Sequence, residues 1–155
     1  MEVPLLEQVK IQSQVLIPVI RALRKELGEE KANDFFRRVL GEHYRQIGAA
    51  YWKQQQTKSA NEKMTTLWEM FADGNALVYD VVDNNSQNFN LDVKRCGYAE
   101  FFHALGEPEL GFLLCCSADV PMTEGFGGDV KLKVNQTIMQ GASHCEFRYQ
   151  IDGGA

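Results

Sequence analysis

The hydrophobic period of this chain changes partway along. From Leu5 to Leu27 the residues Leu5, Val9, Leu16, Val19, Ile20 and Leu23 recur at helical intervals, with Pro18 as an expected kink and Gly28 as a stop. A second helical stripe starts near Glu29 and carries Ala32, Phe35, Phe36, Val39, Leu40, Ile47 and Tyr51 until Q-Q-Q-T-K-S breaks it. Ser59 or Asn61 can then cap a shorter helix bearing Met64, Leu67, Trp68 and Phe71.

Past residue 75 the period falls to two. A-L-V-Y-D-V-V and N-F-N-L-D-V-K, joined by D-N-N-S-Q, read as a hairpin with Phe89, Leu91 and Val93 on one face. Gly97 to Leu105 reads as a helix stopped by Gly106, and Pro108 opens another over E-L-G-F-L-L-C-C. S-A-D-V-P-M-T-E-G-F-G-G is expected to be a loop whose G-F-G-G end is a flexible lid or turn, before two closing strands, D-V-K-L-K-V-N-Q-T-I-M and H-C-E-F-R-Y-Q. The expected fold class is α+β: N-terminal helices packed on one face of an antiparallel sheet of about four strands. No linker or repeat divides the 155 residues, so a single domain is expected, with a helical half over about 4–73 and a sheet-and-motif half over about 76–151.

Charge narrows the partners. A net charge of −5 disfavours nucleic acid and anionic membranes, both of which ask for a basic surface. The acidic, short-apolar start M-E-V-P-L-L-E-Q shows neither signal peptide nor anchor, so the cytoplasm is the expected location. A small-molecule substrate is the expected partner, and self-association into a homo-oligomer is compatible with the sequence. No cofactor is expected. The cysteines at 96, 115, 116 and 145 form no C-x-x-C pair; Cys96, Cys116 and Cys145 with Asp119 would make four zinc ligands, but nothing in their spacing argues for it, and no metal is expected. His43 and His103 read as helix-surface residues.

Three ordered motifs carry more information. R-C-G-Y-A-E, L-G-E-P-E-L-G-F-L-L-C-C-S-A-D and Q-T-I-M-Q-G-A-S-H-C-E-F-R-Y span about residues 94–149. Together they resemble the family of L-2-amino-thiazoline-4-carboxylic acid hydrolases. The resemblance implies an enzyme that opens a cyclic isothiourea with water, giving N-carbamoyl-cysteine, and a kinship with small-ligand domains of the vinyl-reductase type, some of which bind without catalysing. A non-catalytic ligand-binding or accessory module on the same fold is therefore the alternative. Cys96, Cys116, Asp119, Thr137, Gly141, Cys145 and Phe147 match family positions, whereas Cys115 falls where the family is freer. Two departures stand out: Val134-Asn135 where Arg-Thr is expected, and Gly127-Gly128 where Asn-Pro is expected. Loss of that arginine removes a natural clamp for a substrate carboxylate.

Hydrolysis at a C=N carbon needs a nucleophile, a proton acceptor and stabilisation of the adduct. Cys116, Asp119 and Cys145 are the candidate catalytic residues, the attack coming either from a thiolate or from water activated by the carboxylate. A carboxylate beside a thiol opposes thiolate formation. Cys96, Glu100, Thr137 and Gly141 are the candidate substrate-binding residues, Glu100 because four helical positions from Cys96 would put both on one face. Strand alternation puts Cys145, Phe147 and Tyr149 on the buried face and turns His144 away. Gly141 to Ser143 are expected to be small because the chain lines the pocket wall there.

Overall fold

The computed structural model describes residues 2–152. Its elements are α1 (Leu5–Leu27), α2 (Glu29–Gln54), α3 (Ala60–Ala72), β1 (Leu77–Asn84), β2 (Asn88–Cys96), α4 (Gly97–Ala104), α5 (Pro108–Leu114), α6 (Asp119–Glu124), β3 (Val130–Gln136) and β4 (Cys145–Ile151). The strands form one antiparallel sheet in the order β1-β2-β4-β3, with helices on one face, so the chain is α+β. Among the described residues no helix is long and apolar enough to cross a membrane.

Local chemistry accounts for most boundaries. Ser59 begins α3 with a reciprocal capping box: its hydroxyl accepts from Glu62 N while the Glu62 carboxylate accepts from Ser59 N at 2.7 Å. Asn85 closes the β1–β2 hairpin by accepting from the backbone of Gln87 and Asn88, both at 3.0 Å. Pro108 occupies the first turn of α5, where its missing N–H costs nothing. Arg24 binds both Asn33 and Glu109, tying α1 to α2 and α5.

The stripe of α2 differs from the expectation. Phe35, Val39 and Ile47 are exposed, and the packed face runs through Ala32, Phe36, Leu40, Tyr44, Gly48 and Tyr51. Glycine takes part because α6 lies directly on α2: a Cβ on Gly48 would sit 2.0 Å from the Met122 carbonyl oxygen, and one on Gly125 would sit 2.2 Å from that of Arg45. Backbones this close leave no room for side chains. The segment expected as a loop is thus mostly ordered helix, a 3₁₀ turn over Cys116–Ala118 followed by α6.

Two apolar clusters make up the interior. One joins α3 to the inner face of the sheet through Trp68, Met64, Leu67, Phe89, Leu91, Val93 and Phe147. The other lies among the helices, with Ile17, Ile20, Phe36, Phe102, Leu110 and Leu113. Cys96 and Ile138 pack against both, which marks the seam between them.

Candidate functional site

All four cysteines lie along this seam. α5 ends at Leu114, where the Ser117 hydroxyl donates to the Leu113 carbonyl and the chain turns through Cys115 and Cys116. α6 then starts at Asp119, whose carbonyl accepts from the Thr123 hydroxyl at 2.9 Å. From the sheet side, Cys145 opens β4 with its sulfur accepting from Ile138 N at 3.1 Å. Cys96 closes β2 and caps α4, its sulfur accepting from Ala99 N at 3.4 Å.

Asp119 is the centre of this group. It is deeply enclosed by the protein while part of its surface stays accessible. Cys96, Cys115, Cys116, Tyr44 and Tyr98 are likewise partly buried. Burial alone pushes the Asp119 carboxyl up to about 7, because no hydrogen bond or cation offsets its desolvation. Its negative charge in turn reaches all four thiols and the phenols of Tyr44, Tyr98 and Tyr149.

Those groups stay neutral. Burial first, then Asp119, raises the Cys115 and Cys116 thiols far above the ordinary thiol value. Burial pushes Cys145 up to about 11 even though the Ile138 N–H partly opposes it. The tyrosines rise for the same first reason. The interior therefore holds neutral thiols and phenols around one carboxyl that titrates near neutrality. Of the phenols, Tyr98 donates to the Phe71 carbonyl at 3.1 Å and the buried Tyr149 hydroxyl is engaged with Thr123 and Trp68, which leaves Tyr44 as the uncommitted donor among the described residues.

A groove of about 230 Å³ reaches this region from the helical side. α1 supplies Val9, Gln12, Ser13 and Leu16, and α2 supplies Leu40, His43 and Tyr44, with Leu114 and Cys115 completing the lining. Tyr44 and Cys115 thus belong both to the groove and to the set that senses Asp119.

Cys96, Cys116, Asp119 and Cys145 come together in this way; the other sequence-derived candidates do not. Glu100 is exposed and holds Arg95 in a two-point ion pair at 2.7 Å, because Cys96 precedes α4 as its cap and the two do not share a helical face. Thr137 is buried but spends its hydroxyl on the turn over Ile138–Gln140, accepting from Gln140 N and donating to Gln140 Oε1. Gly141 lines no wall: a Cβ there would meet nothing within 4 Å, and its φ of +102° is what demands glycine. His144 faces outward among Ser143, Gln136 and Glu146. Among the described residues no three His, Cys, Asp or Glu side chains gather as metal ligands would.

Several site residues escaped the sequence. Tyr44 had a signal in its i, i+4 spacing from Leu40 and Gly48, and α6 had one in D-V-P, an acid and a proline suited to a first helical turn. Tyr149 had one in the strand alternation that puts it on the face of Cys145, whereas Tyr98 and Cys115 gave none.

The sequence model of the L-2-amino-thiazoline-4-carboxylic acid hydrolases matches residues 8–149. No curated protein matches the chain. Among solved structures, the fold is similar to that of the phenol-responsive sensory domain of the transcription activator PoxR, crystallised with phenol. That likeness has a TM-score of 0.55 at 14% identity and covers 88% of this chain and 72% of that one.

Proposed function

The chain belongs to the L-2-amino-thiazoline-4-carboxylic acid hydrolase family, and from that membership we propose that it hydrolyses a small cyclic isothiourea or amidine, with Asp119 as the acid–base group and water as the nucleophile. The observation that carries this reading is the enclosed Asp119, a carboxyl poised near 7 among groups that stay neutral. A base whose value lies near the working pH is present in its active form and still holds a proton strongly enough to deliver it. The thiols of Cys115, Cys116 and Cys145 are too weakly acidic to supply a standing thiolate, which favours water over sulfur as the attacking atom.

The steps balance with these groups alone. The Asp119 carboxylate takes one proton from water as the water oxygen bonds to the C=N carbon, and passes it to the ring nitrogen, which holds the electron pair of the former double bond. For an isothiourea the carboxylate then takes the proton of the adduct's hydroxyl as the carbonyl forms, the carbon–sulfur bond breaks with its electron pair leaving on sulfur, and protonated Asp119 gives that second proton to the sulfur. The product is a urea bearing a free thiol, and the carboxylate is regenerated. Tyr44 carries the hydroxyl able to donate to the adduct.

Release of a thiol gives a direct assay. With 2-amino-2-thiazoline as substrate, wild-type protein should liberate one thiol per ring opened. Asp119→Asn should lose at least about 100-fold in kcat/KM, and the wild-type profile should rise with pH through an apparent value near 7. An Asp119→Asn variant of near wild-type activity, or a profile flat across neutrality, would exclude this mechanism.

The fold shared with the PoxR sensory domain favours a second reading, a module that binds a small ligand without turning it over. Under it, ligands raise the melting temperature while no product forms.

A further inference from the structure

Charge along the path into the site identifies its occupant more closely. The groove is lined by aliphatic residues with Gln12, Ser13, His43 and Tyr44 as its polar members, and no lysine, arginine, aspartate or glutamate lines it. Ser13 is only 2% exposed and borders the groove. Tyr44 and Cys115 of this lining both feel the charge of Asp119, beside which no cation stands among the described residues. Basic side chains of α1, α2 and α3 are engaged elsewhere: Arg24 on Asn33 and Glu109, Arg45 on Glu124, Lys63 on the Trp52 ring and carbonyl. Val134, on β3 opposite Phe147, packs against the sheet cluster and adds no charge.

We infer that this site takes a small planar cation, an amidinium or isothiouronium without a carboxylate group, which enters between α1 and α2 and pairs with Asp119. The inference rests on the reading that Asp119 marks the ligand site. An anion placed there would face a carboxylate with nothing to compensate either charge, whereas a cation supplies the partner that the fold omits. The groups facing Asp119 are Tyr44 from α2, Cys96 and Tyr98 at the start of α4, Cys115 and Cys116 after α5, and Cys145 and Tyr149 from β4. All are neutral around pH 7, so within this group Asp119 sets the pH response, and His43 is the further titratable side chain on the groove lining. Affinity for the cation should rise as pH increases through neutrality and Asp119 ionises.

Calorimetric titration of the full chain tests this with three probes of similar size: 2-amino-2-thiazoline as the cation, 2-amino-thiazoline-4-carboxylate as its acid-bearing counterpart, and phenol as a neutral ring. At pH 8 the cation should bind at least about tenfold more tightly than either of the others. Its advantage should shrink at pH 5.5, and in Asp119→Asn it should vanish. Should that variant fail to fold, the pH series on wild-type protein separates the same outcomes. Equal or tighter binding of the carboxylate or of phenol overturns the inference, as does an absence of binding by the cation. Tight cation binding without thiol release would defeat the hydrolase reading and leave this one standing. Asp119-dependent turnover that prefers the carboxylate would do the reverse.

Discussion

Replacing Asp119 by asparagine should make the protein more stable at alkaline pH. Relative to an ordinary aspartate value of 3.8, a carboxyl pushed up to about 7 leaves a gap of about 3 pH units, and at about 1.4 kcal/mol per unit the ionised form costs about 4 kcal/mol of folding stability. The direction follows from proton counting. Between the two values the folded chain holds a proton that the unfolded chain has lost, so stability falls as pH rises, and the cost is absent below 3.8 and complete above about 7. Asparagine carries no charge at any pH and escapes this penalty, although its amide remains a buried polar group. The pH-dependent part of the difference between variant and wild type is therefore the informative quantity: from about pH 5 to about pH 8 it should grow by roughly 2–3 kcal/mol in favour of asparagine. For a chain of this size that is a widening of roughly 5–10 °C in Tm, readable by thermal denaturation followed by circular dichroism. A difference that stays constant over this range, or that moves against the variant, would show that Asp119 ionises without penalty and would remove the basis for its acid–base role.

The remaining predictions address packing and access. Gly48→Ala should force α6 off α2, since its Cβ would lie 2.0 Å from the Met122 carbonyl; a loss of about 1–3 kcal/mol in urea denaturation is expected. Gly141→Ala should lose about 1–2 kcal/mol through left-handed backbone strain while leaving ligand affinity unchanged, because the position borders open space; a large fall in affinity would put it back on the pocket wall. A disulfide-exchange reagent should modify Cys115 before Cys145, slowly at pH 7 and faster at pH 9, and a ligand filling the groove should protect Cys115; mass mapping of the labelled cysteines checks the order.

What the sequence reveals is what depends on neighbours in the chain. Gly28 ending α1, Ser59 capping α3, the shared face of Phe89, Leu91 and Val93, and the outward turn of His144 all follow from spacing and local hydrogen bonding. The α2 stripe misleads because apolar periodicity counts side chains, and this helix buries its far end by having none at Gly48. Glycine is also why α6 looks like a loop: Gly125 reads as flexibility in isolation and as a contact surface once Arg45 and Ala49 lie over it. Gly141 inverts the same error, its backbone angle passing for close packing.

The site itself is half legible for a related reason. Cys116, Asp119, Cys96 and Cys145 can be picked out individually, but their ranking depends on what encloses them, and enclosure is a property of the folded seam. Sequence alone leaves the attacking atom open between a thiolate and water activated by the carboxylate. Burial acts in the same sense on both kinds of acid, raising thiol and carboxyl alike, yet their starting points differ. A thiol moved upward leaves the physiological range, while a carboxyl moved upward enters it. A buried seam of this composition thus carries its four thiols out of the physiological range and brings Asp119 into it, and that asymmetry is the ground for proposing the carboxyl rather than a sulfur as the reacting group.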